Sequence, residues 1–187
     1  MLRWRTPPKW VDVVRADFDA FLQDHAACER KASATAVTLA LHYRDKEKLV
    51  SAMVELACEE LEHFRKVYRW IAARKCTFGA DCKDVYVRRM MALARKGPEP
   101  YFLDRLLIAG IIEARGAERF GMLAAGLDSS AATLYSELAQ SEARHAGLFI
   151  GLAKLYFEHP TVEQRVQELF LAEADIIAEL PLRPALH

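Results

Sequence analysis

The sequence predicts an all-α protein: a four-helix bundle made of two long helical hairpins, with extra N-terminal, connecting and C-terminal helices. Three observations carry this reading. Apolar residues recur at helical spacing over long segments, helix breakers are scarce, and turn residues fall at a few short places. The 187 residues include only eight Gly and seven Pro, the prolines at positions 7, 8, 98, 100, 160, 181 and 184, so long helices can run uninterrupted between them. With 52% apolar and 28% charged residues the composition is globular, and residues 1–187 are expected to form a single domain.

The elements follow in order. Pro7 and Pro8 lack the N–H that a first helical turn leaves unpaired, so a first helix starts after them and carries Trp10, Val13, Val14, Phe18, Phe21 and Leu22. Asp24 is expected to cap a fresh helix running to about Tyr43, with Ala27, Ala34, Val37 and Leu41 on its apolar stripe. Arg44-Asp45-Lys46 is the turn. Residues 46–75 form the next long helix, with Leu49, Met53, Leu56, Phe64, Val67 and Ile71 on one side. A loop at 76–82 contains Gly79, and residues 83–96 read as a short basic helix ended by Gly97-Pro98. Residues 101–126 form a third long helix. Asp128-Ser129-Ser130 turns the chain and caps a fourth, 131–157, which Pro160 closes. A last helix, 162–180, ends at Pro181. Short connections favour antiparallel neighbours.

Formal net charge is zero, yet the average conceals a block. Between Arg65 and Lys96 stand ten basic residues against Asp81 and Asp84, a pattern suited to a basic face. No run of about 18 apolar residues occurs, and no apolar stretch follows the basic residues of the N-terminus, so a cytoplasmic protein with no membrane segment is expected. Cys28 and Cys58 fall within predicted helices. Cys76 and Cys82 have no second Cys or His pair nearby, so all four cysteines read as free, ordinary small residues rather than a zinc site.

The chemistry lies in a repeated pattern. Glu60-Leu61-Glu62-His63 and Glu142-Ala143-Arg144-His145 are both Glu-x-x-His, and residues three apart on a helix share a face, so each pair can converge on one ion. Each is preceded on the partner helix by a glutamate: Glu29 is 31 positions before Glu60, and Glu113 is 29 before Glu142. Within an antiparallel hairpin this places the two glutamates at one level. Leu106, Ala109, Gly110, Ala117 and Phe120 share the face of Glu113, so the carboxylates point inward. Four buried carboxylates are prohibitively costly unless they take up protons or neutralise cations, and two divalent metals cancel four charges. Mixed oxygen and nitrogen ligation from Glu29, Glu60, His63, Glu113, Glu142 and His145 suits iron or manganese. This ligand set is that of ferritin-like di-metal proteins. Glu118, five positions beyond Glu113, is rotated off that face and suits a pairing with Arg115; His25, one turn before Glu29, is a candidate for approach to the site or for a capping or polar contact.

Five segments carry a resemblance: Asp24-His25-Ala-Ala-Cys28-Glu29-Arg-Lys-Ala, Glu59-Glu60-Leu-Glu-His63-Phe, Ile112-Glu113-Ala-Arg115-Gly-Ala-Glu118-Arg-Phe120, Ser141-Glu142-Ala-Arg144-His145 and Glu173-Ala-Asp175. In this order the chain resembles the tRNA hydroxylases that act on 2-methylthio-N6-isopentenyladenosine at position 37. The resemblance implies a ferritin-like fold, a centre of two iron ions held by the six ligands, and monooxygenase hydroxylation of the isopentenyl group with O2 as co-substrate. Electrons are expected from an external donor of ferredoxin/reductase type, because the chain has no dinucleotide fingerprint or cysteine cluster. The anticodon loop of tRNA is the implied partner, with Lys75, Lys83, Arg88, Arg89, Arg95 and Lys96 as candidate contacts. The family usually has Ser-Cys where this chain has Gly116-Ala117, an aromatic residue where it has Ala146, and Ser-Arg-Tyr where it has Asp84-Val85-Tyr86. Two rival readings share the ligands: a di-iron oxidase or oxygenase of a small molecule, and a ferritin-type iron-handling protein.

Overall fold

The computed structural model describes residues 1–80 and 83–187; Asp81 and Cys82, within the expected loop, lie outside the described residues. Among the described residues there are seven helices and no strand: α1 (Lys9–Ala16), α2 (Phe18–His42), α3 (Glu47–Ala73), α4 (Val85–Met91), α5 (Pro98–Gly126), α6 (Ser129–Tyr156) and α7 (His159–Glu179). The chain forms two compact units. One comprises Val13–Cys82 with Pro184–Leu186, and the other Met1–Asp12, Lys83–Arg183 and His187.

The first unit is built on α2 and α3. Gln23 donates to the carbonyl of Thr77 and accepts from the amide of Gly79, each at 2.9 Å, while Ser33 Oγ donates to the carbonyl of Ala57 at 2.8 Å. Low numbers on α2 therefore meet high numbers beyond α3, and the two helices run antiparallel. Leu22, Ala26, Val67 and Ile71 form their shared core, with Phe18, Phe64, Trp70 and Phe78 packed against it. An Asp19–Arg74 ion pair closes that end, with the Arg74 guanidinium over the Phe18 ring. Helix α3 ends in a Schellman turn, Cys76 N–H donating to Ile71 and Lys75 N–H to Ala72, which puts Lys75 at φ 58°.

Several expected boundaries move. The break before α2 lies at Asp17, not Asp24: Asp17 accepts from the amide of Ala20 at 3.0 Å, performing the capping chemistry assigned to Asp24 two turns later. Asp24 sits inside α2, where its carboxylate accepts from the amide of Leu186 at 2.7 Å. The basic helix is shorter than expected, and Gly97, at φ 99°, caps the start of α5 with Pro98 in its first turn. Pro160 likewise stands in the first turn of α7.

The second unit is built on α5 and α6. A Cβ at Gly110 would meet Phe149 Cβ at 3.1 Å and the Ala146 carbonyl at 3.2 Å, whereas at Gly116 it would meet Glu142 Cγ at 3.8 Å. The descending partner numbers show antiparallel packing, closest at Gly110. Two buried ionic knots tie the other segments of this unit to α5. Arg115 donates to both oxygens of Glu173 on α7, at 2.9 and 3.0 Å, and both side chains are fully buried. Arg115 also reaches the Trp4 carbonyl at 3.1 Å and Glu118, and Tyr86 of α4 donates to Glu173 at 3.1 Å. Burial pushes the Glu173 carboxyl up against the pull of Arg115, and burial with the neighbouring Arg115 charge pushes Arg119 down to about 10. Arg119 lies over the Trp10 ring, 5.0 Å from its centroid.

The second knot is Asp104, fully buried, which accepts from Arg95 at 2.8–2.9 Å and from Arg165 of α7 at 2.9 Å. Burial alone would raise its carboxyl, but hydrogen bonds from Arg165 and Arg95 outweigh it and hold it below the usual range. A carboxyl lowered on folding stabilises the fold above its unfolded value of about 4, and that contribution is lost as pH falls through the lowered folded value. Asp104→Asn should therefore cost roughly 3 kcal/mol at pH 7. Urea denaturation should show the gap from wild type narrowing as the pH drops below about 4; a pH-independent gap would remove the ionised carboxylate as its source.

Candidate metal centre

Each hairpin assembles one half of the expected ligand set. On α2 and α3, Glu29, Glu60 and His63 offer donor atoms within 4.8 Å of one another. They are 3%, 1% and 6% exposed, well removed from water. His63 Nδ1 lies 3.5 Å from Glu60 Oε2 and 3.6 Å from Glu29 Oε2. Two donors each about 2.1 Å from a shared ion stand roughly 3.0–3.4 Å apart, so a few tenths of an ångström of contraction brings His63 Nδ1 into range of an ion shared with either carboxylate. The helix spacing is the cause: Glu60 and His63 are one turn apart on the buried side of α3, alongside buried Met53, Leu56 and Val67.

The α5–α6 hairpin repeats the arrangement. Glu113, Glu142 and His145 offer donors within 4.8 Å of one another, with Glu142 and His145 buried and Glu113 partly so. His145 Nδ1 lies 3.3 Å from Glu142 Oε2, and its other nitrogen, Nε2, is 3.4 Å from Ser141 Oγ, to which Arg144 donates at 3.0 Å. In both hairpins Nδ1 faces the carboxylates. Such an outer partner fixes the tautomer and ring plane of a metal-binding histidine. Ser141 opens the fourth of the five segments, but no spacing rule singles out a serine one residue before the glutamate.

Other residues make polar contacts of their own. His25, fully buried, stands 2.6 Å from Glu29 Oε1 through Nε2, and its ring lies against Phe21. Glu118 pairs with Arg115 and accepts from Thr6, while Glu62 pairs with Arg65. Of the basic candidates, Lys75, Lys83, Arg88 and Lys96 are exposed. Arg89 pairs with Glu179 at 2.7 Å, and Arg95 belongs to the Asp104 knot. Cys28, Cys58 and Cys76 are thiols outside any disulfide, and Cys82 lies outside the described residues. Among the described residues no helix is long and apolar enough to cross a membrane.

Comparison with known proteins fits this geometry. The family model described as tRNA-(MS[2]IO[6]A)-hydroxylase (MiaE) matches residues 1–187. The chain belongs to this family. Within the MiaE family, a Pseudomonas putida protein named tRNA 2-(methylsulfanyl)-N(6)-isopentenyladenosine(37) hydroxylase is 33% identical over 172 residues, 92% of this chain and 84% of that protein. A Salmonella typhimurium protein of the same name is 34% identical over 130 residues, 70% of this chain but 48% of that protein. Among solved structures, one described as protein 43 with aldehyde deformylating oxygenase activity from Synechococcus is 36% identical, with a TM-score of 0.94 over 100% of this chain and 94% of that one. The MiaE-family chain thus has the all-α, ferritin-like fold.

The glycines beside the ligands give a paired test. Gly116→Ala adds a Cβ at ordinary contact distance and should hold or raise stability by up to about 1 kcal/mol. Gly110→Val must push α5 from α6 and should cost about 1–3 kcal/mol. Thermal unfolding of the two variants checks this, and equal effects would contradict the close approach at Gly110.

Proposed function

We propose that this protein is a non-haem di-iron monooxygenase that hydroxylates the isopentenyl group of 2-methylthio-N6-isopentenyladenosine at position 37 of tRNA. The observation that carries the proposal is the duplicated, buried grouping of two carboxylates and one imidazole in each hairpin of a chain matched throughout by the MiaE family. Glu29, Glu60 and His63 would hold one ferrous ion, and Glu113, Glu142 and His145 the other. The donor chemistry fits: two divalent ions balance the four carboxylates, and oxygen with imidazole nitrogen suits iron. When bound, an iron pair supplies the activation of dioxygen that insertion of one oxygen atom into a carbon–hydrogen bond requires.

The chain's own residues hold and orient. Ser141 keeps the His145 ring turned with Nδ1 toward Glu142. Apolar Leu106, Phe120 and Leu138 are buried on the same two helices, which keeps bulk water from competing with an apolar prenyl chain. Exposed Lys75, Lys83, Arg88 and Lys96 meet backbone phosphates of the anticodon arm. Arg89 and Arg95, engaged by Glu179 and Asp104, contribute field rather than direct contact. The target base is splayed from its loop, as single-stranded RNA permits. Electrons come from a separate ferredoxin/reductase-type donor, and the whole chain works as one domain in the cytoplasm.

A second reading is favoured by one finding, the aldehyde deformylating oxygenase activity by which the Synechococcus structure is described: the same ligands acting on a small aliphatic aldehyde. One experiment separates the two. Iron-loaded protein, reductant and O2 are given isopentenylated tRNA or a fatty aldehyde. Mass spectrometry of digested nucleosides should show one added oxygen on the modified adenosine, abolished in Glu113→Ala. Formate release from the aldehyde with no change in the tRNA would overturn the hydroxylase proposal.

The basic residues give an independent check. Replacing Lys83, Arg88 and Lys96 together by Gln should weaken tRNA binding. The slope of log affinity against log salt should fall by about one unit for each phosphate that is no longer neutralised. An unchanged slope would place the RNA contact elsewhere.

A further inference from the structure

Glu29 is approached by two histidines. Its Oε2 faces His63 Nδ1 at 3.6 Å, across a gap suited to an ion. Its Oε1 stands 2.6 Å from His25 Nε2, a short hydrogen bond between two groups on one helix, one turn apart. Both side chains are buried, His25 completely. The imidazole has little freedom to leave, because its ring lies 5.7 Å from that of Phe21 on the same helix face, and Leu22 and Ala26 are buried beside it in sequence.

We infer that His25 is a positioning residue for Glu29, donating from Nε2 to Oε1 so that Oε2 is the oxygen presented to metal. The assignment rests on the metal-binding reading above. It follows from geometry: a histidine engaged with a carboxylate oxygen at 2.6 Å is occupied as a donor, whereas one serving as a ligand would present that nitrogen to the ion. The arrangement also breaks the symmetry between the hairpins. One turn before Glu113, the position matching His25 is Ala109, whose side chain cannot donate. His25 therefore acts on the ion held by Glu29, Glu60 and His63, through a contact that the α5 position matching it does not repeat. Loss of an outer hydrogen bond to a ligand commonly weakens metal binding about 10- to 100-fold, and here the loss falls on one ion of the two.

The test is anaerobic titration of the metal-free full chain with Co(II), followed by visible absorption, alongside thermal unfolding of the metal-free protein. Wild type should bind two ions. His25→Ala should weaken one of them about 10- to 100-fold and leave the other near its wild-type affinity. His25→Gln, whose side-chain amide can donate in place of Nε2, should restore much of the lost affinity. The metal-free unfolding midpoint of His25→Gln should stay near that of wild type, which separates positioning from folding should the alanine variant fold poorly. Two overturning outcomes are distinct: two tight ions in His25→Ala remove the positioning role, and a glutamine variant as weak as alanine with an altered Co(II) spectrum makes His25 a ligand. Absence of two-ion binding in wild type would instead defeat the metal reading on which the inference stands.

Discussion

A carboxylate taken out of water must be met by positive charge, by donors or by a proton, and the helices of this protein are arranged around that requirement. Asp104 is met by two guanidinium groups and Glu173 by Arg115 and Tyr86. At the half-sites the groups that meet carboxylates include imidazoles: His25 and His63 around Glu29, His145 beside Glu142. An imidazole is a weaker counter-charge than a guanidinium and a good metal ligand. Asp104 and Glu173, matched by arginine, tie helices together, whereas Glu29 and Glu142, matched by histidine, stand among grouped donor atoms.

Helix α5 concentrates these roles. Along one helix lie Asp104, which binds Arg165 of α7; Gly110, which admits α6 at close range; Glu113, a donor of the half-site; and Arg115, which binds Glu173. Asp104 and Arg115, eleven positions apart, return to one side of the helix, and Gly110 and Glu113, three apart, share another. The ionic knots bind outer segments of the unit to α5, and the glycine contact sets its distance from α6. Glu113 lies between them, so its placement is set by contacts on both sides along the helix. Arg115, two positions from Glu113, belongs to the same segment by which the chain resembles its relatives, and its function here is architectural.

Much of this was legible because the signals are local. The two Glu-x-x-His pairs declare themselves through the helical period, and the upstream glutamates match because each hairpin folds back at a short turn. The pairing of Glu118 with Arg115 also follows from spacing on one helix. What escaped was of three kinds. Where two acidic caps compete, as Asp17 and Asp24 do, composition gives no ranking, and the choice falls to packing: Asp24 is engaged by Leu186, distant in sequence. Partners remote along the chain, such as Arg115 with Glu173 or Asp104 with Arg165, leave no periodic trace. Ser141 escaped for a further reason, since its importance lies in which nitrogen of His145 it meets.

The end of α3 shows how termination and charge intersect. Its Schellman turn needs a residue in the left-handed region, where an L side chain costs roughly 1 kcal/mol that glycine avoids. The residue there is Lys75, at φ 58° and exposed. Its aliphatic stem and ammonium group thus occupy a position whose backbone favours having no side chain. Lys75 also follows directly on the C-terminus of α3, a place where positive charge is favourable. Helix stop, local electrostatics and the proposed contact with RNA are therefore joined in a single residue, and any exchange that relaxes the backbone also removes the charge.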